Sequence, residues 1–379
     1  MSQRVLLKPT QLTEDEREFQ REVRAYLDER LPAGSYPISL GMPGLSDPEF
    51  SRDLGGQGWL GMALSPQYGG GGRTAVERLI VVEELLARGA PVSYHWVADR
   101  QSGPLIQRFG TEQQKAKYLP GIARGELSFS IGMSEPDAGS DLAAVSSRAE
   151  RCDEGWRING TKIWTSGAAD ATQILCLFRT SPDRYGGLTQ FIIDTDTPGL
   201  TVTPIAFIDG TRHFCEVVFD EVVVGDDQRL GNEGDGWMQN TTELVLERGG
   251  VDRWMSMVVI VERWARTIEP NDAIALADLG VMTARLRALR ALSLSIARLV
   301  DEGESPATEA AMVKELGTRV EQDCVEMVAR HFTRPPEITS GDELESLVAR
   351  ALLVGPSWSI RGGTNEILRS IVAKGLAST

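Results

Sequence analysis

Two short tracts concentrate residue types suited to holding a planar ring. They are Phe129-Ser130-Ile131-Gly132-Met133-Ser134-Glu135-Pro136-Asp137-Ala138-Gly139-Ser140-Asp141 and Asn159-Gly160-Thr161-Lys162-Ile163-Trp164-Thr165-Ser166. Small and hydroxyl residues beside a strand (Ser134, Gly139, Ser140) let backbone approach a flat ligand and donate to its edge. Trp164 can cover an aromatic face while Ser166 donates to a ring nitrogen. Taken alone, Trp164 reads as a buried β-core tryptophan, and Glu247 as one solvated acid among 54. The surrounding residues decide between these readings.

Three segments must position these groups. Up to residue 125 the chain reads as helices. Thr13 with Glu16, Thr74 with Glu77 and Thr111 with Gln114 each have the spacing of a capping box. Gly89, followed by Pro91, ends the helix behind Thr74. From 126 the period becomes extended. Asn159-Gly160 predicts a tight hairpin between Trp156–Ile158 and Lys162–Trp164, and β-rich runs follow at 173–179, 189–194, 201–208 and 215–224. After Gly231-Asn232-Glu233-Gly234-Asp235-Gly236 the helical period returns, with long helices over 279–300 and 307–332. The expected fold class is α+β: an N-terminal helical domain (1–125), a central β-barrel or sandwich domain (126–233) and a C-terminal four-helix bundle (234–379).

Composition narrows the function. With 379 residues the chain can bury roughly three quarters of its unfolded surface without covalent staples. Its 39 basic and 54 acidic residues give a net charge of -15, a surface that repels nucleic acid and anionic membrane. Cys152, Cys176, Cys215 and Cys324 are scattered, as are His95, His213 and His331, so neither a disulfide frame nor a metal site is expected. The N-terminus turns acidic before a signal peptide can form, which predicts a cytoplasmic protein. Gly69–Gly72 has no strand before it and no Gly-Lys-Ser/Thr after it, so it reads as a loop and not a phosphate cradle.

The helical, β, helical order and the two tracts together resemble the acyl-CoA dehydrogenase family of flavoproteins over essentially the whole chain. The likeness extends to the turn at Gly231–Trp237, the Glu247-Arg248 pair and the terminal Gly362-Gly363-Thr364-Asn365-Glu366-Ile367. It implies FAD as cofactor and dehydrogenation of an acyl-CoA to a trans-2-enoyl-CoA, with electrons passing to an electron-transfer flavoprotein. It implies that Met133 and Ser134 meet the pyrimidine and N5 edge of the isoalloxazine, that Trp164 packs on it and that Ser166 bonds near N5. Ile131, Gly139, Thr364 and Glu366 complete the implied cofactor set. Ser140 touches the CoA arm, and Gly362 and Gly363 belong to the substrate site, the Gly362 amide meeting the thioester carbonyl. Asp99-Arg100-Gln101 borders the family's acyl pocket, although a solvated helix face serves equally well for Asp99 and Arg100.

The departures are informative. Many members carry the base as a Glu immediately before the terminal Gly-Thr, where this chain has Gly362; a minority carry it before an Arg on the first helix after the β domain, where this chain has Glu247. The Arg-x-x-Phe-Gly and Gln-x-x-Gly-Gly-x-Gly segments by which homotetramers reach a neighbour's FAD are not recognisable at 262–270 or 346–355. That pattern resembles the base-bearing subunit of heteromeric, sterol side-chain type dehydrogenases, a tetramer of α2β2 form with a paralogous partner. Gly249-Gly250 and Gly362 would leave room for a branched or ring-bearing acyl chain. A flavin oxidase or monooxygenase on the same fold, and a non-catalytic subunit, stand as alternatives.

Overall fold

The computed structural model describes residues 6–42 and 44–377, and within the helix over Gly236–Arg248 it leaves the side chains of 243–247 undescribed. Along the chain run α1 (Glu14–Arg30), α2 (Pro48–Gly56), α3 (Ala75–Ala87), α4 (Ser93–Val97), α5 (Gly103–Phe109) and α6 (Glu112–Ala123). The strands follow: β1 (Phe129–Gly132), β2 (Arg148–Cys152), β3 (Gly155–Ser166), β4 (Gln173–Arg179), β5 (Leu188–Asp194), β6 (Leu200–Ile205), β7 (Phe214–Val224) and β8 (Arg229–Leu230). Then come α7 (Gly236–Arg248), α8 (Val258–Ala265), α9 (Ala273–Asp301), α10 (Ala307–Ala329), α11 (Glu343–Trp358) and α12 (Asn365–Ala377). The order is helical, β, helical, as the sequence implies.

All three predicted capping boxes form. The hydroxyls of Thr13, Thr74 and Thr111 accept from the amides of Glu16, Glu77 and Gln114, whose side chains accept in return from the cap amides. Gly89 takes φ +62 just past α3, where a side chain would be strained.

By contact the chain divides into two units: 1–42, 74–90 and 245–379 in one, 43–73 and 91–244 in the other. The division falls inside α7. In the first unit α10 is the hub, packing on α9, α11 and α12. Glu83 and Glu84 of α3 are buried and paired with Arg290 of α9 and Arg24 of α1, so the inner face of α3 is stitched by ions as well as by Val76, Ile80 and Leu86.

In the second unit eight strands form one mixed sheet in the order β6-β7-β3-β2-β4-β5-β8, with β1 parallel to β4. Ile106, Tyr118, Leu119 and Ile122 of α5 and α6 pack against Phe129, Leu175, Ile192 and Leu230. A second cluster gathers Trp156, Ile158, Phe178, Phe191, Val217 and Phe219. Between α4 and α5, residues Ala98–Ser102 form a π-helical turn.

One expectation is overturned. Asn159-Gly160 is not a hairpin turn but lies inside the continuous strand β3. A bulge on β7 opposite it absorbs the irregularity: Ile158 pairs with Val222 and Gly160 with Phe219. Asn159 accepts from the Glu221 amide and donates to its carboxylate, while Glu221 itself takes φ +53. Gly160 has φ +143, and a Cβ there would lie 2.2 Å from Ser147 Oγ. Gly160→Val should therefore cost about 3 kcal/mol or more from strain and overlap together. Urea unfolding followed by tryptophan fluorescence checks this, and an unchanged midpoint would refute the bulge geometry.

Candidate active site

In the second unit the site grows from the end of β1 and a kink in β3. Lys162, fully buried on β3, places its ammonium 2.7 Å from the buried Glu135 carboxylate and 3.3 Å from the Met133 carbonyl. Glu135 also accepts from the amides of Ser146 (2.6 Å) and Ser147 (3.0 Å) and from the Ser146 hydroxyl. Burial pushes the Glu135 carboxyl up, but Lys162 and the bonds from Ser146 and Ser147 outweigh it and hold the group below the ordinary glutamate value. Burial pushes Lys162 below the ordinary lysine value against the pull of Glu135. The pair fastens the segment after β1 to β3, and the Ile163 amide adds a bond to the Ser134 carbonyl at 2.9 Å.

Two residues further on, β3 bulges. Lys162 pairs with Val217 but Thr165 with Cys215, so the extra residue lies on β3. Trp164 takes φ +61, a conformation that bulky side chains adopt only under constraint. Its indole is 53% exposed and meets Phe214 edge-on at 6.1 Å. It is therefore not a core tryptophan: the strand spends backbone strain on presenting an indole to solvent. Thr165 Oγ1, on the next residue, and His213 Nε2, whose ring packs on the same Phe214, are buried without a hydrogen-bond partner among the described residues, and Ser134 and Ser166 are half-buried. The Ser166 carbonyl is already taken by the Ser130 hydroxyl at 2.7 Å. A flat aromatic face with orphaned donors at its rim fits the isoalloxazine of FAD.

His213 is not singled out by the sequence. It sits between β6 and β7, its carbonyl accepts from the Gly167 amide, and burial pushes its imidazole down to about 4, so the ring is neutral near pH 7. A lone histidine in a loop carries no spacing signal. Of the other implied ring contacts, Ile131 turns its side chain into the cluster on α5 and α6. Met133 packs with Ala138, Val145, Leu177 and Leu188. Both are half-buried, and the Met133 carbonyl is already taken by Lys162. Gly139 and Ser140 are exposed. Asp99 departs from the solvated-face alternative: it is 7% exposed and accepts from the Gly61 amide at 2.7 Å, while Arg100 stacks over Trp96 at 4.7 Å.

In the first unit the other implied residues meet at the turn before α12. Gly362 and Gly363 have φ +61 and +96, and their amides donate to no acceptor among the described residues. Arg248, 7% exposed at the end of α7, donates from Nε to the Gly362 carbonyl at 3.0 Å. The last turn of α7 is thereby held against the position that carries the base in many relatives. The Glu247 side chain lies outside the described residues. Thr364 accepts from the amides of Ile367 and Leu368, so it caps α12. Glu366 is exposed in that helix's first turn, where its own backbone amide leads the interactions that lower its carboxyl pKa. Gly249 does not open space for substrate, because its Cβ would meet Ile296 Cγ2 at 2.7 Å.

The class of protein follows from comparison with known families. Family models for the N-terminal, middle and C-terminal domains of acyl-CoA dehydrogenases match residues 13–126, 130–222 and 234–377. The chain belongs to the acyl-CoA dehydrogenase family; it is an FAD-dependent enzyme of acyl-CoA dehydrogenation. It is 32% identical over 379 residues to acyl-CoA dehydrogenase FadE29 of Mycobacterium tuberculosis, covering 96% of each chain. Among solved structures it resembles one described as the Tcur3481-Tcur3483 steroid ACAD, with TM-score 0.86 and 30% identity over 96% of this chain and 97% of that one. It also resembles the ChsE4-ChsE5 complex of Mycobacterium tuberculosis, with TM-score 0.83 and 27% identity over 98% and 99%. Among the described residues no helix is long and apolar enough to cross a membrane.

The Glu135-Lys162 pair yields a pH prediction. A carboxyl lowered on folding contributes stability that is present above the ordinary glutamate range and lost as pH falls through the folded value. The stability difference between wild type and Glu135→Gln should thus be largest at pH 7 and shrink toward pH 3. Lys162→Met, which strands a buried carboxylate, should cost about 3–5 kcal/mol at pH 7. Urea titrations across that range check both, and a pH-independent difference would exclude the ion pair as the cause.

Proposed function

We propose that Glu247 removes the α proton of an acyl-CoA thioester and that the Gly362 and Gly363 amides hold the carbonyl as negative charge develops on it. The observation carrying this reading is the Arg248 bond to the Gly362 carbonyl, which fixes the end of α7 at the turn where many relatives keep their base. Two positive-φ glycines with unengaged amides side by side supply donors that need no rearrangement during the reaction. FAD, when bound, supplies the acceptor for the β hydride at N5. Trp164 covers a ring face, and Ser134, Thr165, Ser166 and His213 are the hydrogen-bonding groups for its edge. Ser140, exposed after β1, is assigned to the CoA arm.

The acyl group is proposed to be bulky, of steroid side-chain type, in line with the description of the structural relative. The physiological assembly is proposed as α2β2 with a paralogous subunit, because a related structure is a complex of two differently named chains and the segments that contact a neighbour's FAD are not recognisable here. Electron-transfer flavoprotein is the proposed acceptor. Four free cysteines suit the reducing cytoplasm.

Glu247→Gln should retain FAD absorbance and lose about 1,000-fold or more in kcat, the scale of a positioned general base. Wild-type turnover by the flavin-loaded variant would remove Glu247 from the mechanism. Trp164→Ala should weaken FAD retention about 10-fold while leaving the far-ultraviolet circular dichroism unchanged. For the assembly, native mass spectrometry of the chain alone should show no active tetramer with one FAD per subunit; finding one would refute the two-subunit reading.

A further inference from the structure

Lys314 lies in the middle of α10 with its side chain wholly buried. Its ammonium donates to the carbonyls of Trp358 (3.3 Å), Ser359 (3.5 Å) and Gly363 (3.1 Å) and to Asn365 Oδ1 (3.1 Å). Trp358 and Ser359 close α11 and Asn365 opens α12, so one ammonium joins the end of one helix to the start of the next across the turn between them. The same turn is held from elsewhere in the unit. Arg361 donates to Ser256 Oγ at 2.9 Å and to the buried Glu321 carboxylate, and Arg248 donates to the Gly362 carbonyl. Lys314 and Arg248 thus reach into residues 358–365 while Arg361 reaches out of them, and the first two engage both glycine carbonyls. The amides of Gly362, Gly363 and Thr364 are left without acceptors among the described residues.

A cation at a carbonyl polarises its peptide unit and strengthens the N–H on the far side. Arg248 at the Gly362 carbonyl acts on the Gly363 N–H; Lys314 at the Gly363 carbonyl acts on the Thr364 N–H. Burying an ammonium is costly, and fold closure alone could use an apolar side chain at this position. We infer that Lys314 is a positioning residue for dehydrogenation, holding the Gly362–Gly363 turn whose amides receive the developing negative charge of the thioester oxygen. This role rests on the Gly362 site proposed above, and the test separates the two.

The test uses the full-length FAD-loaded enzyme with Lys314→Met and Lys314→Arg. Misplaced or weakened donors should cost about 100-fold in kcat while KM changes far less. Lys314→Met should show that loss at wild-type FAD content, and Lys314→Arg should restore most of it. The pH at which a bound 3-thia-acyl-CoA ionises, read from its long-wavelength absorbance with FAD, should rise by about one unit, a tenfold weaker hold on the anion. Hydrogen exchange in the peptide spanning 358–365 should quicken in Lys314→Met, a readout that needs no turnover. Unchanged exchange overturns the proposal, as does an unchanged kcat per bound FAD with only a lower melting temperature, which would mark a purely structural lysine. If Lys314→Met does not fold, Asn365→Ala, which removes the side-chain acceptor named above, replaces it with the same criteria. A wild type inactive on every acyl-CoA would defeat the dehydrogenation reading, while the exchange result would still decide whether Lys314 fixes the turn.

Discussion

An ammonium buried away from water must find oxygen acceptors in the protein, and this requirement fixes the chain wherever this fold buries a lysine. Lys162 can be satisfied only if the segment after β1 brings the Met133 carbonyl and the Glu135 carboxylate to β3. Lys314 can be satisfied only if the end of α11 and the start of α12 fold back onto α10. Each unit therefore has a buried lysine around which a loop has little choice of conformation. Apolar packing could hold the sheet and the helices together, but it would not dictate which carbonyls face inward and which amides remain free.

The strain at Trp164 follows from the same arrangement. With Lys162 fixed toward Glu135 and Thr165 paired to Cys215, one residue too many lies between them, and Trp164 absorbs it at φ +61. The indole is thrown outward next to the Thr165 hydroxyl, which has no partner among the described residues. An exposed indole face is thus made by register mismatch between two strands, anchored on one side by an ion pair and on the other by regular pairing. His213 enters the site for the same reason, because its carbonyl receives the Gly167 amide where β3 leaves the sheet.

What was legible in the sequence was local or motif-borne. The capping threonines bond within three residues, so their spacing suffices, and the order of helical and extended periods carries over directly. The family motifs led to Trp164, Arg248 and the terminal glycines. Asn159-Gly160 misled because a tight turn and a bulge partner use the same dipeptide; the choice was made by Ser147 and Glu221, distant in sequence and adjacent in the sheet. Thr364 and Glu366 match the family's pattern, yet in the structure they do the work of a helix start, which sequence cannot separate from ligand contact. Lys314 was invisible for a different reason: a lysine among glutamates on a long helix reads as solvated, and only the fold shows that it faces inward.

The placement of a base is tied to backbone conformation. At φ +61 a residue at 362 with a Cβ would pay about 1–2 kcal/mol, and Gly363 at φ +96 leaves only 3.1 Å between its would-be Cβ and Arg248 Nη2. A carboxylate returned to 362 would therefore carry that backbone cost, and a side chain at 363 would crowd Arg248. The Glu247-Arg248 pair and the Gly362-Gly363 pair are then linked: the arginine that bonds the turn is next in sequence to the residue proposed as the base. The chain's charge of -15 sharpens the point. In an acidic protein that must receive polyanionic CoA, cations placed at backbone carbonyls can aid an enolate through polarised amides without forming a competing site for the CoA phosphates.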